Sequence, residues 1–241
     1  MPREAYSILG ANGWSPLSDQ SAHPSQQPHA AMKSCRLSPF VGATPHTALI
    51  FGTGRKSALG LKKVLPRLMP DWVMLIGVSG ALAPGLDNGD IIVPQIFIEG
   101  ASGRRNKAPA LRLAEGDKTT KGAILTSARP IGSTAKKREI YQKSRALAVD
   151  MESFYVLEIC QGLNIPFFCI RAISDRADQS IPEEITRALR PDGSVRICSV
   201  ALGTIKRPSL LPELLNLGRG FSVACRRLRQ LLPEAIRAIH G

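Results

Sequence analysis

The stretch from Ala148 to Asp178 narrows the possible folds more than any other part of the chain. Asp150-Met151-Glu152-Ser153 opens an apolar pattern that predicts a helix from Met151 to Gln161, with Gly162 and Asn164 as its stop. Pro166 then leads into the apolar run Phe167-Phe168-Cys169-Ile170, which turns polar at Ser174-Asp175. A short helix returning into a buried strand is the repeating unit of an α/β domain. In open α/β sheets ligands bind beyond the carboxyl ends of the strands, so Asp175 falls where chemistry is usually done, and Glu152 sits at the start of the preceding helix. Two acids carried on separate elements are thereby expected to face one pocket.

Upstream, Ala48-Leu49-Ile50-Phe51 reads as a buried strand, followed by Gly52-Thr53-Gly54-Arg55-Lys56-Ser57 and a helical pattern from Ala58 to Leu65. Glycines let a backbone approach an anion, and a helix start offers free N–H groups, so this turn fits a phosphate site. A plain tight turn with solvated cations fits it equally. Trp72 to Ile76 predicts a second strand ending in Gly77-Val78-Ser79-Gly80-Ala81; Leu86 to Asp90 a turn; Ile91 to Val93 a third strand; and Ala123 to Thr126 a fourth. Ser133 is placed to cap a helix over Ala135 to Gln142 whose basic residues are expected to face water. Between Glu99 and Lys121 the chain reads as a charged loop, with Gly103 to Lys107 as an exposed basic tip; a solvated loop is favoured there over a nucleic-acid contact.

The net charge of +13 attracts any anionic partner and is silent on fold. Aromatic residues make up only 5%, which argues against a surface built to stack bases. The five cysteines are odd in number and form no closely spaced pair, so they read as reduced thiols of a cytosolic chain with no metal site. No apolar leader is visible, and no run approaches the roughly 20 residues that cross a bilayer. Three regions are expected: a poorly ordered arm over residues 1–45, where Tyr6 to Gly10 alone looks strand-like; a domain over 46–204; and a helical tail over 205–241. The tail sets Leu210, Leu211, Leu214, Leu215 and Leu217 beside Arg219, Arg226, Arg227, Arg229 and Arg237. Such a pattern suits either packing on the domain or peripheral contact with an anionic membrane surface.

Three segments together resemble the nucleoside phosphorylase and nucleosidase superfamily: Phe51 to Ser57, Trp72 to Val93, and Ala148 to Asp178. Asp150 to Ser153, Ser174 to Asp178, Pro182 to Gly193 and the Arg-rich end are similar to the hopanoid-associated phosphorylases, which are thought to remove adenine from adenosylhopane. The resemblance implies a three-layer α/β/α sandwich around a mixed central sheet, a homo-oligomer, no cofactor, and phosphate as co-substrate. It implies that Asp175 protonates the purine, that Glu152 holds the ribose hydroxyls, and that Met151 floors the sugar. Ser174, Ser79, Gly80 and Ile131 would complete the substrate site, and Gly52, Gly54, Arg55 and Val78 the phosphate site. Val78 departs from the Ser or Thr of many relatives, Ile131 stands near their aromatic, and their first strand and loop have only Ile8-Leu9-Gly10 as a counterpart.

Phosphorolysis of an adenosine-type nucleoside leads the functional readings. A hydrolase of methylthioadenosine or adenosylhomocysteine is the second. An inactive module that binds a nucleoside or a membrane is the third.

Overall fold

A computed structural model describes residues 54–109, 111, 113, 119–188, 207 and 210–240, except the side chains of 56, 57, 187, 188 and 240, together with the backbone of 15–16, 33–37 and 46–50. The three backbone segments are strands β1 (Ser15–Pro16), β2 (Lys33–Leu37) and β3 (His46–Ile50), joined as an antiparallel sheet in the order β1-β2-β3. Two of these strands, β1 and β2, lie in residues 1–45, the region expected to be a poorly ordered arm. The scrap from Tyr6 to Gly10 lies outside the described residues.

The main sheet takes β4 (Val73–Ala81), β5 (Ile91–Glu99), β6 (Arg105–Lys107), β7 (Thr119–Thr126), β8 (Ala148–Asp150) and β9 (Phe167–Asp175) in the order β6-β5-β7-β8-β4-β9. Pairing is parallel for β4–β9, β5–β7 and β7–β8, and antiparallel for β4–β8 and β5–β6. The sheet also curls until β5 meets β9 through Ile91↔Ala172 and Ile92↔Arg171. It is the mixed, helix-flanked sheet that the resemblance implies.

Two expectations are corrected here. The second strand does not end at its glycines but runs through them to Ala81, because Gly77 to Gly80 continue the parallel ladder with β9. The basic tip is partly a strand: Arg105 to Lys107 pair with Ile96 to Ile98, and Arg104 is drawn into an ion cluster with Glu99 at 3.0 Å and Glu158 at 2.8 Å.

Alternation along β4 and β9 assigns the two faces. Leu75, Ala81, Phe167, Cys169 and Ile173 pack with helices α1 (Gly54–Leu68) and α3 (Ser153–Gly162). Met74, Ile76, Val78, Ile170 and Ala172 pack with the long helix α5 (Leu210–His240). In α1 the core positions Ala58, Leu61 and Leu65 recur at helical spacing. Helix α3 is buried nearly all round, since it lies between the sheet and α1. Helix α2 (Thr134–Ser144) is capped by Ser133, whose hydroxyl accepts from the Lys136 amide, and lays Ile140 and Tyr141 on a third cluster that includes Leu82 and Val149. A short α4 (Glu183–Ala188) follows β9.

The described part of the tail is one 31-residue helix, with Pro233 inside it. Its stripe of Ala224, Cys225, Leu228, Leu231 and Ala235 runs back along β9, and Gly220 meets the Ser174 carbonyl so closely that an added Cβ would stand 2.3 Å from that oxygen. The ten residues ahead of Gly220, about 15 Å of helix, therefore extend past the carboxyl end of β9.

Candidate active site

Two buried clusters hold the two acids, the first on the α1/α3 side of the sheet and the second at the carboxyl end of β9, on the side that α2 covers. The first forms where β8 passes into α3. Asp150, at the end of β8, accepts from Thr126 Oγ1 at 2.8 Å, from the Ser153 amide at 3.2 Å and from the Ser153 hydroxyl, and pairs with Arg171 Nη2 at 2.7 Å. A carboxylate on the first amides of a helix complements its dipole, so Asp150 satisfies the start of α3. Glu152, the residue preceding α3, makes no capping bond with its side chain. Its Oε1 instead accepts from the Gly54 amide at 2.8 Å, and its Oε2 lies 3.4 Å from Arg171 Nη2. The glycine turn and Glu152 therefore meet, with Gly54 at φ 80°, a conformation that glycine adopts without strain.

Arg171 was not foreseen as a site residue. It is 4% exposed, projects from the middle of β9, and lies where an added Cβ on Gly77 would stand 2.1 Å from its Nη1. The only sequence signal for it was an arginine inside an otherwise apolar strand, which has to find acids to be buried. Beside it, Cys169 contacts the Ser153 hydroxyl at 3.4 Å, and burial pushes its thiol up to about 11, so it is neutral.

The second cluster lies at the carboxyl end of β9. A register shift between Ser79 and Gly80 sets Gly80 opposite Asp175. Asp175 is 5% exposed; its Oδ1 accepts from the Ser174 hydroxyl at 2.8 Å and its Oδ2 from Lys137 Nζ at 2.6 Å. Lys137 corrects the expectation that the basic residues of this helix face water. It shares the inward stripe of α2 with Ile140 and Tyr141 and is fully buried, whereas Lys136 and Arg138 on either side are exposed.

Ser79 stands between the clusters, in register with Ile173 on β9. Its hydroxyl is buried without a hydrogen-bond partner. Burying a hydroxyl unpaired costs about 1–3 kcal/mol, so such a group is a natural ligand contact.

The other expected positions are dispersed. Met151 is half-buried at the turn into α3, and Ile131 packs on the cluster under α2. Of the phosphate set, Gly52 lies outside the described residues. The Gly54 amide is taken by Glu152, and the Arg55 guanidinium lies over the Tyr155 ring at 5.6 Å. Val78 is carried by alternation to the opposite face, against the α5 cluster. Among the described residues no group of three His, Cys, Asp or Glu is placed to hold a metal ion.

A mixed sheet flanked by helices, with one buried acid at a helix start and another at a strand end, defines an α/β fold of the kind that binds small polar ligands at the ends of its strands. The chain belongs to the phosphorylase superfamily, whose profile matches residues 57–202. Cleavage of a purine nucleoside's N-glycosidic bond fits that family.

Among solved structures, the chain is similar to the 5'-methylthioadenosine/S-adenosylhomocysteine nucleosidase of Helicobacter pylori, with a TM-score of 0.67 and 14% identity over 98% of this chain and 94% of that one. It is similar as well to the Neisseria meningitidis nucleosidase in complex with methylthio-immucillin-A, at 0.65 and 18% over 99% and 96%. A third likeness is to futalosine hydrolase of Helicobacter pylori, at 0.66 and 14% over 98% and 95%. At these identities the likeness establishes the fold.

Proposed function

We propose that this chain cleaves the N-glycosidic bond of an adenosine-type nucleoside by phosphorolysis, the other half of the substrate being a polycyclic lipid as in adenosylhopane. The observation that carries the cleavage is the pair of buried acids, Glu152 at the start of α3 and Asp175 at the carboxyl end of β9, with the unpartnered Ser79 hydroxyl in register with Ile173, between Arg171 and Asp175 along the ladder. Arg171, which touches Glu152, and Asp175 are four residues apart on β9, a rise of about 13 Å, of the order of a purine nucleoside's length.

Breaking a ribosyl C–N bond develops positive charge on the sugar and negative charge on the base. Glu152, fixed by the Gly54 amide and Arg171, is the group to hold ribose hydroxyls and to face the developing cation. Asp175 is the group to meet N7 of the leaving purine and to share a proton with it as charge builds on the base, a contribution of about 10²–10⁴ in rate.

The lipid half is supported by the outer side of α5. Leu211 and Leu215, 51% and 55% exposed, lie on the part of the helix that passes the end of β9, and they begin a stripe that Arg219, Arg226, Arg229 and Arg237 continue along the helix. Apolar side chains next to arginines suit a headgroup boundary, in peripheral contact only, since no helix among the described residues is long and apolar enough to cross a membrane.

Hydrolysis is the second reading, favoured by one observation: the Gly54 amide, a candidate donor to phosphate, is already engaged by Glu152. Adenine release from adenosylhopane and from methylthioadenosine, each with and without phosphate, separates the two. Release of adenine from adenosylhopane only with phosphate supports phosphorolysis. Release without it makes the chain a hydrolase, and no release from either substrate by folded protein removes the enzymatic reading.

A further inference from the structure

We propose that Lys137 is the positioning residue of Asp175, a role that rests on reading Asp175 as the group that meets the purine. An ammonium with no access to water needs three acceptors for its three N–H bonds. Lys137 Nζ has three: Asp175 Oδ2 at 2.6 Å, the Arg176 carbonyl at 2.7 Å and the Gln179 carbonyl at 2.9 Å. None is on its own helix. Lys137 ties the acid and the loop that follows it to the start of α2, and the Ile181 amide bonding to the Gly132 carbonyl at 2.9 Å ties the same two segments a second time.

The acid is held from every side. Lys137 takes Oδ2, the Ser174 hydroxyl donates to Oδ1, and Gly80 lies against the carboxyl with room for no Cβ, which would stand 2.8 Å from Oδ2. Of the two oxygens, Oδ2 is committed to an ionic bond in the protein interior. Oδ1 carries only a bond from a hydroxyl that also reaches the Ser79 carbonyl at 3.2 Å and can turn to it. Lys137 thus selects Oδ1 as the oxygen offered to the base. Removing Lys137 alone leaves a buried carboxylate unpaired, so its effect on folding has to be read apart from its effect on ligand binding.

The test uses the full chain and needs no turnover in its first arm. Adenine binding is measured by calorimetry for wild type, Lys137→Met, Asp175→Asn and the double variant, with thermal unfolding run on each. Each single change is expected to weaken adenine by about tenfold or more, as for a lost hydrogen bond to a charged group, and the double variant to bind no more weakly than Asp175→Asn. If Lys137→Met does not fold, the comparison of Asp175→Asn with the double variant, in which neither buried group is charged, still decides. In the second arm, methylammonium is added to Lys137→Ala and is expected to restore adenine affinity, and turnover where wild type turns over. Lys137→Met binding adenine like wild type, losses that multiply in the double variant, or a folded Lys137→Ala indifferent to methylammonium each overturn the proposal. Wild type that binds no adenine overturns the reading of Asp175 and this proposal with it. Adenine binding without cleavage of any nucleoside overturns only the proposed reaction.

Discussion

The amide of Gly54 donates to the carboxylate of Glu152 at 2.8 Å, joining residues 98 apart in the chain. Helix α1 therefore starts on the acid that precedes α3. Glu152→Gln keeps an acceptor for Gly54 and leaves Arg171 paired with Asp150, so unfolding free energy is expected to change by no more than about 1 kcal/mol. The charge proposed to face the sugar is lost, and kcat for adenine release is expected to fall by about 10²-fold or more. Equal turnover of variant and wild type would remove Glu152 from the chemistry.

Gly80 offers a second measurement. An alanine there brings a Cβ to 2.8 Å from Asp175 Oδ2 and 3.3 Å from Oδ1, and the carboxyl cannot retreat without leaving Lys137. Gly80→Ala is expected to lower kcat by about tenfold or more through a misplaced acid, with the change in secondary structure by circular dichroism below detection. A variant as active as wild type would mean that the carboxyl has freedom the packing denies.

How much of this was readable beforehand follows from where the signals were local. Glu152 and Asp175 stood out because each lies at the junction of a helix or strand with a polar segment, and such junctions are visible in sequence. The partners of those acids were not. Lys137 sits in the run Lys136-Lys137-Arg138, and a run of like charge reads as a solvated face; only the helical phase set by Ile140 and Tyr141 turns one of the three inward. Arg171 lies in an apolar strand whose burial was clear, but its acids come from β8 and the start of α3, and β8 joins the sheet beside β4 through a three-residue strand too short to predict. Of the residues expected to contact phosphate, Val78 is carried to the other face from Ser79 by a one-residue difference in strand phase.

Arg171 makes the strongest stability prediction. It holds Asp150 at 2.7 Å and Glu152 at 3.4 Å, and it donates to the Ser153 hydroxyl at 3.2 Å, all in the interior. Arg171→Met leaves two buried acids without their common cation and is expected to cost about 3–5 kcal/mol, read from the midpoint of a urea titration. Adding Asp150→Asn is expected to recover part of that loss, because the buried charge most dependent on Arg171 is then gone. A single variant as stable as wild type would show that the acids find other partners.

The outer face of α5 predicts a change in binding without a change in folding. Leu211 and Leu215 are more than half exposed, so replacing both with Glu is expected to alter stability by no more than about 0.5 kcal/mol per site. Wild type is expected to sediment with phosphatidylglycerol-containing vesicles, but not with phosphatidylcholine alone, and to be released by salt. The double variant is expected to stay in the supernatant. Wild type that ignores both kinds of vesicle, or a variant that binds like wild type, would detach this face from lipid.

Alkaline pH tests the core that lies behind the site. Burial pushes the thiol of Cys160 up to about 12 and that of Cys169 to about 11. In the unfolded chain both titrate near their ordinary value of about 8.5. Above that pH the unfolded chain releases protons that the folded chain keeps, so the unfolded state gains. The stability contributed by the neutral thiols is complete below about pH 8.5 and is lost as pH rises through the folded values, by up to about 1.4 kcal/mol per pH unit for each thiol. Urea titrations between pH 8 and 10.5 in the presence of a reductant should therefore show a steady fall, and Cys160→Ala should flatten it. Iodoacetamide at pH 9 is expected to label neither cysteine until the chain is unfolded, because the thiolate that reacts is absent from the folded core. Rapid labelling of Cys169 in folded protein would mean that solvent reaches the Ser153–Arg171 cluster, and the buried network assigned to hold Glu152 would then be open.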